Sequence, residues 1–337
     1  MIAVKDISKY YGSHRAVEDL SFEIAKGECV GLLGLNGAGK STALRLLSCL
    51  LLPTSGHITV DGMDVVERSH EIRKRVGYLP ETPPVYPEMT VTEYLDFAAR
   101  LRGISGEQVK RRRLEVIELC HLKEAAGATV GTLSHGFQQR VGIAQAVIHA
   151  PALLILDEPI KGLDPVQIVQ MRKMVAELRG KHTIVLSTHF LSEIEQTCDR
   201  ILMMHRGRVV AEGTEQELEQ RYGSHRVVEM EIRGAEGELR AALGSLEEVE
   251  VVGTEATGPD LLLVRARAPE DDREKLSRAV VQAGLGLLGM RAVTTGLENV
   301  FLTLSSGSAV ATDASRAPSA GAEAAAPAPS LDRSDKP

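Results

Sequence analysis

Cys29-Val30-Gly31-Leu32-Leu33-Gly34-Leu35-Asn36-Gly37-Ala38-Gly39-Lys40-Ser41 passes from an apolar segment into a glycine-rich loop and on into a helical stretch, Thr42 to Leu51. Its last eight residues fit G-x-x-x-x-G-K-[ST] in the setting that pattern needs, after a strand and before a helix. Without side chains in the way, backbone N–H groups converge on an anion, and the positive end of the following helix adds to the field. The loop is therefore expected to cradle nucleotide phosphates, with Lys40 on the β- and γ-phosphates and Ser41 on Mg²⁺. A coincidental glycine-rich turn is the alternative, and the flanking strand and helix argue against it. Alone, the loop indicates a nucleotide and leaves the reaction open.

Downstream, Leu153-Leu154-Ile155-Leu156-Asp157-Glu158-Pro159 sets two carboxylates at the end of an apolar run. Such a pair is costly there unless a cation or the chemistry uses it. Asp157 is expected to hold Mg²⁺ through water, and Glu158 to orient and deprotonate an attacking water. A helix-capping or surface carboxylate is the competing reading. Around these motifs the patterning is that of an α/β domain over residues 1–225. Ser21-Phe22-Glu23-Ile24 and His57-Ile58-Thr59-Val60 alternate, as half-exposed antiparallel strands do. Leu153–Leu156 and Thr183-Ile184-Val185-Leu186 are continuous, as in a parallel sheet covered on both faces. Thr90-Val91-Thr92-Glu93 is a capping-box signal, followed by Tyr94, Phe97, Ala98 and Leu101 at helical spacing and a stop at Gly103. A helical insertion is expected there.

Just before the acidic strand, Leu133-Ser134-His135-Gly136-Phe137-Gln138-Gln139-Arg140 opens a helix whose Val141, Ala144 and Ile148 share a face. Ser134 and the N–H groups near Gly136 make a helix start suited to an anion. The segment resembles the signature sequence of ATP-binding cassette (ABC) ATPases, and with the two motifs above the resemblance covers residues 1–225. It implies a P-loop NTPase core with an antiparallel β subdomain and a helical insertion, working on ATP with Mg²⁺. By the same resemblance, Gly34, Leu35, Asn36, Gly37, Ala38, Gly39, Lys40, Ser41 and Thr42 surround the nucleotide. Tyr11 in Lys9-Tyr10-Tyr11-Gly12 matches the aromatic that stacks on adenine, with Tyr10 as the register alternative. Asp164 in Gly162-Leu163-Asp164-Pro165 matches the loop that couples two protomers, though a solvated turn aspartate fits the residues too. His189 matches a histidine that contacts the γ-phosphate and acts with Glu158 and Lys40 in catalysis. Ser134 and Gly136 are implied to cover the nucleotide held by a partner copy, so that two composite sites form in a two-fold dimer.

Several positions depart from the family pattern. Glu81, in Tyr78-Leu79-Pro80-Glu81, stands where Gln is usual; it keeps an oxygen for nucleotide or Mg²⁺ and adds a negative charge. His135, Phe137 and Leu35 replace commoner residues, and Ile160-Lys161 replaces a small polar pair. None removes a group that hydrolysis needs.

Residues 226–305 read as a second unit of order β-α-β-β-α-β plus a helix. Strands are expected over 226–233, 248–253, 260–267 and 286–294, with helices over 236–243 and 270–283. A last amphipathic helix carries Leu297, Val300, Phe301 and Leu304. This predicts a small α+β, ferredoxin-like domain. Residues 306–337, rich in Ala, Ser, Pro and Gly, are expected to form a disordered tail. The net charge of −7 over 337 residues argues against nucleic acid as a partner. Cys29, Cys49, Cys120 and Cys198 lack C-x-x-C spacing and read as reduced thiols. The N-terminus shows no leader, and the most apolar run, Leu44–Leu52, carries Arg45 and ends at Pro53, too short to span a bilayer.

Together with the resemblance, these features imply a cytoplasmic ATPase, peripheral on the inner face of the cell membrane. It would pair with itself or a sister subunit and drive a separate integral-membrane permease, in the export direction suggested by Leu297–Leu302. The rivals are a soluble ABC ATPase acting on ribosomes or DNA, and a regulatory subunit without turnover. A single phosphate loop without sustained heptads argues against the first, and intact Glu158 and His189 against the second.

Overall fold

The computed structural model describes residues 1–222, 225–246, 249–258, 260–269 and 273–293. Strands β1 (Ile2–Tyr11) and β2 (His14–Ile24) pair antiparallel. Along β2 buried and exposed positions alternate, as the sequence predicts for a sheet with one wet face. β3 (Cys29–Leu33) is buried at every residue and leads through the glycine-rich loop into α1 (Lys40–Leu47). That helix is displaced from the expected 42–51. It begins at Lys40 because Gly39, at φ 99°, turns the chain into it, and it ends at Leu47 because Cys49 takes a φ of 57°. Leu50 and Leu52 are left exposed. β4 (Ser55–Val60) returns to β1, and β5 (Met63–Asp64) completes a four-stranded sheet ordered β2-β1-β4-β5.

After α2 (Ser69–Arg73) and β6 (Val76–Leu79) comes the helical insertion. Its start is the reciprocal cap expected at Thr90. The Thr90 hydroxyl accepts from the Glu93 N–H at 3.2 Å, and the Glu93 carboxylate accepts from the Thr90 N–H at 2.9 Å. Helices α3 (Val91–Leu101) and α4 (Glu107–Leu119) precede α5 (His135–Val147), the helix of the signature-like segment. The basic run Lys110–Arg113 reads in sequence as a solvated helix face. The structure corrects half of that. Arg113 pairs with Asp96 of α3 at 2.7 Å, and Arg112 donates to the Ile148 and Val147 carbonyls at 2.9 Å. Two of the four cations thus hold α4 against its neighbours, closing the carbonyl end of α5.

The chain continues through β7 (Leu153–Asp157), α6 (Pro165–Leu178), β8 (Thr183–Thr188), α7 (Leu191–Thr197), β9 (Arg200–His205), β10 (Arg208–Gly213) and α8 (Glu215–Tyr222). The second sheet is ordered β10-β9-β3-β8-β7-β6 and is parallel except at β10. Alternate residues of its strands enter two cores. Leu33, Leu154, Leu156 and Ile184 pack with the helical insertion, and Val30, Leu32, Ile155 and Val185 pack beneath the antiparallel sheet. A strand serving both cores has no wet face, which explains its unbroken apolar run. Ligand sites in open α/β sheets form beyond the carboxyl ends of the strands. Here β3, β8 and β7 are adjacent, so their ends bring the glycine-rich loop, His189 and Asp157-Glu158 to one place.

A separate core belongs to β11 (His225–Arg233), α9 (Glu236–Gly244), β12 (Glu250–Gly258), β13 (Leu261–Pro269), α10 (Arg273–Gln282) and β14 (Gly286–Val293). Their sheet is antiparallel, in the order β12-β13-β11-β14. β12 extends to Gly258, beyond the expected end at 253, because its pairing with β13 continues across two register shifts. The expected last helix and the tail from 306 onward lie outside the described residues. Among the described residues no helix is long and apolar enough to cross a membrane.

Candidate functional site

A cavity of about 370 Å³ opens over the start of α1, lined by His14, Ala16, the Asn36–Thr42 segment, Glu81, Glu158 and Lys161. The loop geometry depends on missing Cβ atoms. A Cβ on Gly34 would lie 2.6 Å from the Met204 carbonyl oxygen, and one on Gly39 would lie 2.5 Å from that of Ala16. Both contacts are with backbone, which cannot swing aside. Gly37 and Gly39 also sit at φ 82° and 99°, where other residues are strained.

Lys40 is buried, yet its ammonium is well provided for. It donates to the Gly34 carbonyl at 2.7 Å and lies 3.2 Å from Glu158 Oε1. The other Glu158 oxygen is 2.9 Å from His189 Nδ1. Glu158 therefore stands between a cation and an imidazole, with only 5 % of its surface exposed. Its backbone is held as firmly. φ is 49°, and its N–H donates to Ser187 Oγ at 3.0 Å. The same Ser187 hydroxyl donates to Asp157 Oδ1 at 2.6 Å, and Ser41 Oγ donates to that oxygen at 3.1 Å.

Burial pushes the Asp157 carboxyl above its usual range, while the Ser187 and Ser41 hydroxyls pull it partly back and the charges of Glu158 and Glu81 push it up again. A carboxylate so short of positive charge, beside a serine hydroxyl, suits a hard divalent cation. Among the described residues no group of three or more His, Cys, Asp or Glu side chains gathers into a metal cage.

The remaining candidates fall into three places. Glu81 lines the cavity and forms an ion pair with Lys161, a residue the sequence reading noted only as a departure. Leu35, half-exposed, opens the loop, and Tyr11 is exposed at the end of β1, opposite His14, with Lys9 Nζ 5.6 Å from its ring. Tyr10 is also exposed. Ser134, Gly136 and Asp164 do not line the cavity. Ser134 caps α5, accepting from the Phe137 N–H at 3.5 Å, and Asp164 caps α6, accepting from the Gln167 N–H at 2.9 Å. A Cβ on Gly136 would lie 2.4 Å from Gln167 Oε1, so the starts of α5 and α6 are pressed together. Asp164 thus has the capping role its sequence context allows, whatever else it does.

Three contributors escaped the sequence reading. Ser187 left a signal, a hydroxyl interrupting an apolar strand. Gln139, fully buried on α5, donates to the Glu81 carbonyl at 3.3 Å. Nothing local marks His14, which reaches the cavity only because the β1–β2 hairpin folds over it.

A protein-family model described as ABC transporter matches residues 17–161. The bacitracin transport ATP-binding protein of Bacillus licheniformis is 33 % identical over 92 % of this chain and 99 % of its own. Nod factor export ATP-binding protein I of Rhizobium etli is 36 % identical over 90 % of this chain and 92 % of its own. Among solved structures, a dimeric ATP-binding cassette in a post-hydrolysis state bound to ADP and Pi matches with a TM-score of 0.59. That match has 27 % identity and covers 64 % of this chain and 98 % of that one.

Proposed function

The chain belongs to the ABC transporter family as an ATP-hydrolysing cassette subunit, and we propose that it powers export through a separate membrane permease by closing as a dimer around ATP. The observation that carries the reading is the linked chain from buried Lys40 through buried Glu158 to part-buried His189, set beside the phosphate loop. Before nucleotide arrives, Lys40 is held by Glu158. Phosphate oxygens take the ammonium over, and the released carboxylate accepts a proton from the attacking water. His189, bonded to Glu158 through Nδ1, fixes that carboxylate and lies beside the charge that develops. Ser41, Asp157 and Glu81 are the residues that would hold Mg²⁺, which when bound neutralises charge on the β- and γ-phosphate oxygens.

Tyr11, or Tyr10 one position away, offers an exposed ring for adenine. Ser134 and Gly136 would reach the nucleotide of a partner copy, and Asp164 would meet that copy beside them; support comes from their place outside this protomer's own cavity. ATP favours the closed dimer and hydrolysis releases it. The partner copy is a second identical chain or a sister subunit. We read the second unit as a ferredoxin-like sandwich, a reading that its strand order and antiparallel pairing support. The relatives named for bacitracin transport and Nod factor export support the direction. We place the subunit in the cytoplasm, against the inner face of the membrane, without nucleic acid as a partner.

The permease would dock on the Tyr78–Thr92 segment and the helical insertion, where half-exposed Tyr86 packs edge-on against Phe97 at 5.6 Å. Affinity purification from detergent-solubilised membranes is expected to recover a polytopic membrane protein. Tyr86→Ala or charge reversal at Glu88 should weaken that recovery without changing ATP affinity. Recovery of ribosomal or DNA-repair proteins alone would replace the transporter reading with the soluble one.

A further inference from the structure

Glu81 and Lys161 face each other across the cavity mouth, one after β6 and the other just beyond Glu158. Each is about half exposed, at 46 % and 51 % of the side chain. An ion pair that open is weak, within roughly 1 kcal/mol of neutral, so a stronger anion can take the cation away. Glu158 and Asp157 add their charges to that of Glu81, so the Lys161 ammonium sits within the field of the buried acids.

The backbones of both residues are tied to one helix. The Lys161 carbonyl lies 3.0 Å from His135 Nε2, and the Glu81 carbonyl accepts from Gln139 Nε2 at 3.3 Å, with both partners on α5. Gln139 Oε1 is buried and has no hydrogen-bond partner among the described residues.

Resting on the ATPase reading above, we propose that Lys161 is a second phosphate-binding cation, held by Glu81 in the nucleotide-free protein and transferred to the terminal phosphate when ATP binds. The exchange releases Glu81 from Lys161. The position supports the terminal phosphate over the inner ones. Lys161 lies three residues beyond Glu158, which is 3.2 Å from Lys40 Nζ, the ammonium expected on the β- and γ-phosphates. The unusual carboxylate at 81 then acts as a competitor that tunes affinity, and the unusual lysine at 161 is its counterpart.

The two halves of the pair should shift affinity in opposite directions. Displacement of a fluorescent ATP analogue from the full chain, with ATP and ADP as competitors, reads both. Measured without Mg²⁺, so that the metal-holding role proposed for Glu81 plays no part, Glu81→Gln removes the competitor and should tighten ATP binding by about three- to five-fold, the whole worth of an exposed pair. Lys161→Ala should weaken ATP about ten-fold while changing ADP by less than about two-fold, as expected for one lost charge-assisted contact to the terminal phosphate. Lys161→Arg should restore ATP affinity. Melting temperatures of all variants check that each folds.

If both substitutions weaken ATP, or if ATP and ADP shift together, Lys161 is a structural partner only and the proposal fails. Failure of the underlying ATPase reading looks different: wild-type protein would not bind ATP, or Lys40→Ala would leave binding intact.

Discussion

Glu158 shows how much one side chain depends on its surroundings. It is nearly enclosed, with a cation 3.2 Å from one oxygen and an imidazole 2.9 Å from the other. Glu158→Gln keeps the shape but cannot accept a proton, so turnover should fall by about 10²–10⁴-fold while ATP still binds. A phosphate-release assay beside equilibrium binding measures both, and wild-type turnover in this variant would remove Glu158 from the mechanism. Lys40→Ala should instead abolish productive binding, because the phosphates lose their main side-chain counter-ion and Glu158 is left buried without its cation. Both proposed roles are read from the sequence, where the motif spacing and the acidic strand end suggest them. Ser187 and Lys161 were not assigned, because their importance comes from what faces them across the sheet and the cavity.

At the scale of elements, α5 is the part on which the site leans, and two of its contacts can be tested. Gly77 of β6 lies so close that an added Cβ would stand 2.2 Å from the Ala146 carbonyl oxygen. Gly77→Ala must push α5 off the sheet, costing about 1–3 kcal/mol. A fall in melting temperature of roughly 3–10 °C follows for a domain of this size. Just past the end of α5, His149 bonds to the Val76 carbonyl through Nε2, and its Nδ1 has no partner among the described residues. Burial, helped by the charges of Arg102 and Arg112 and by His182, pulls its pKa down from 6.5 to about 4.

Between those values the unfolded chain binds a proton that the folded protein refuses. Stability therefore rises with pH across this window and is lost as pH falls through it, by at most about 3 kcal/mol. His149→Gln should reduce the difference in melting temperature between pH 7.5 and pH 4.5, and an unchanged difference would show that other groups govern the acid limb.

For the whole molecule, the cavity of one protomer lacks Ser134 and Gly136, so an assembly prediction follows from the proposed dimer. In the Glu158→Gln background, ATP should convert monomer to dimer by size exclusion. Adding Ser134→Arg should block that conversion, because a bulky cation would stand where the partner's phosphate must approach. It should leave ATP binding to the monomer intact. A dimer that survives Ser134→Arg would place the partner contact elsewhere.

The sequence by itself determined the nucleotide loop, the acidic strand end, the capped helical insertion and the division into half-exposed and fully covered strands. Each of these is written in consecutive residues, because backbone geometry and periodicity are local. It misjudged α1 by a few residues, since a glycine at φ 99° and a cysteine at φ 57° set its ends. It also took Arg112 and Arg113 for solvated charges. Only the tertiary structure decided that Lys40, Glu158 and His189 form one linked chain, that Glu81 meets Lys161, and that His14 reaches the cavity. Those pairings join residues 31 to 118 positions apart. They exist because parallel strands β3, β8, β7 and β6 lie side by side, and that strand order is fixed by how the whole sheet buries its two faces.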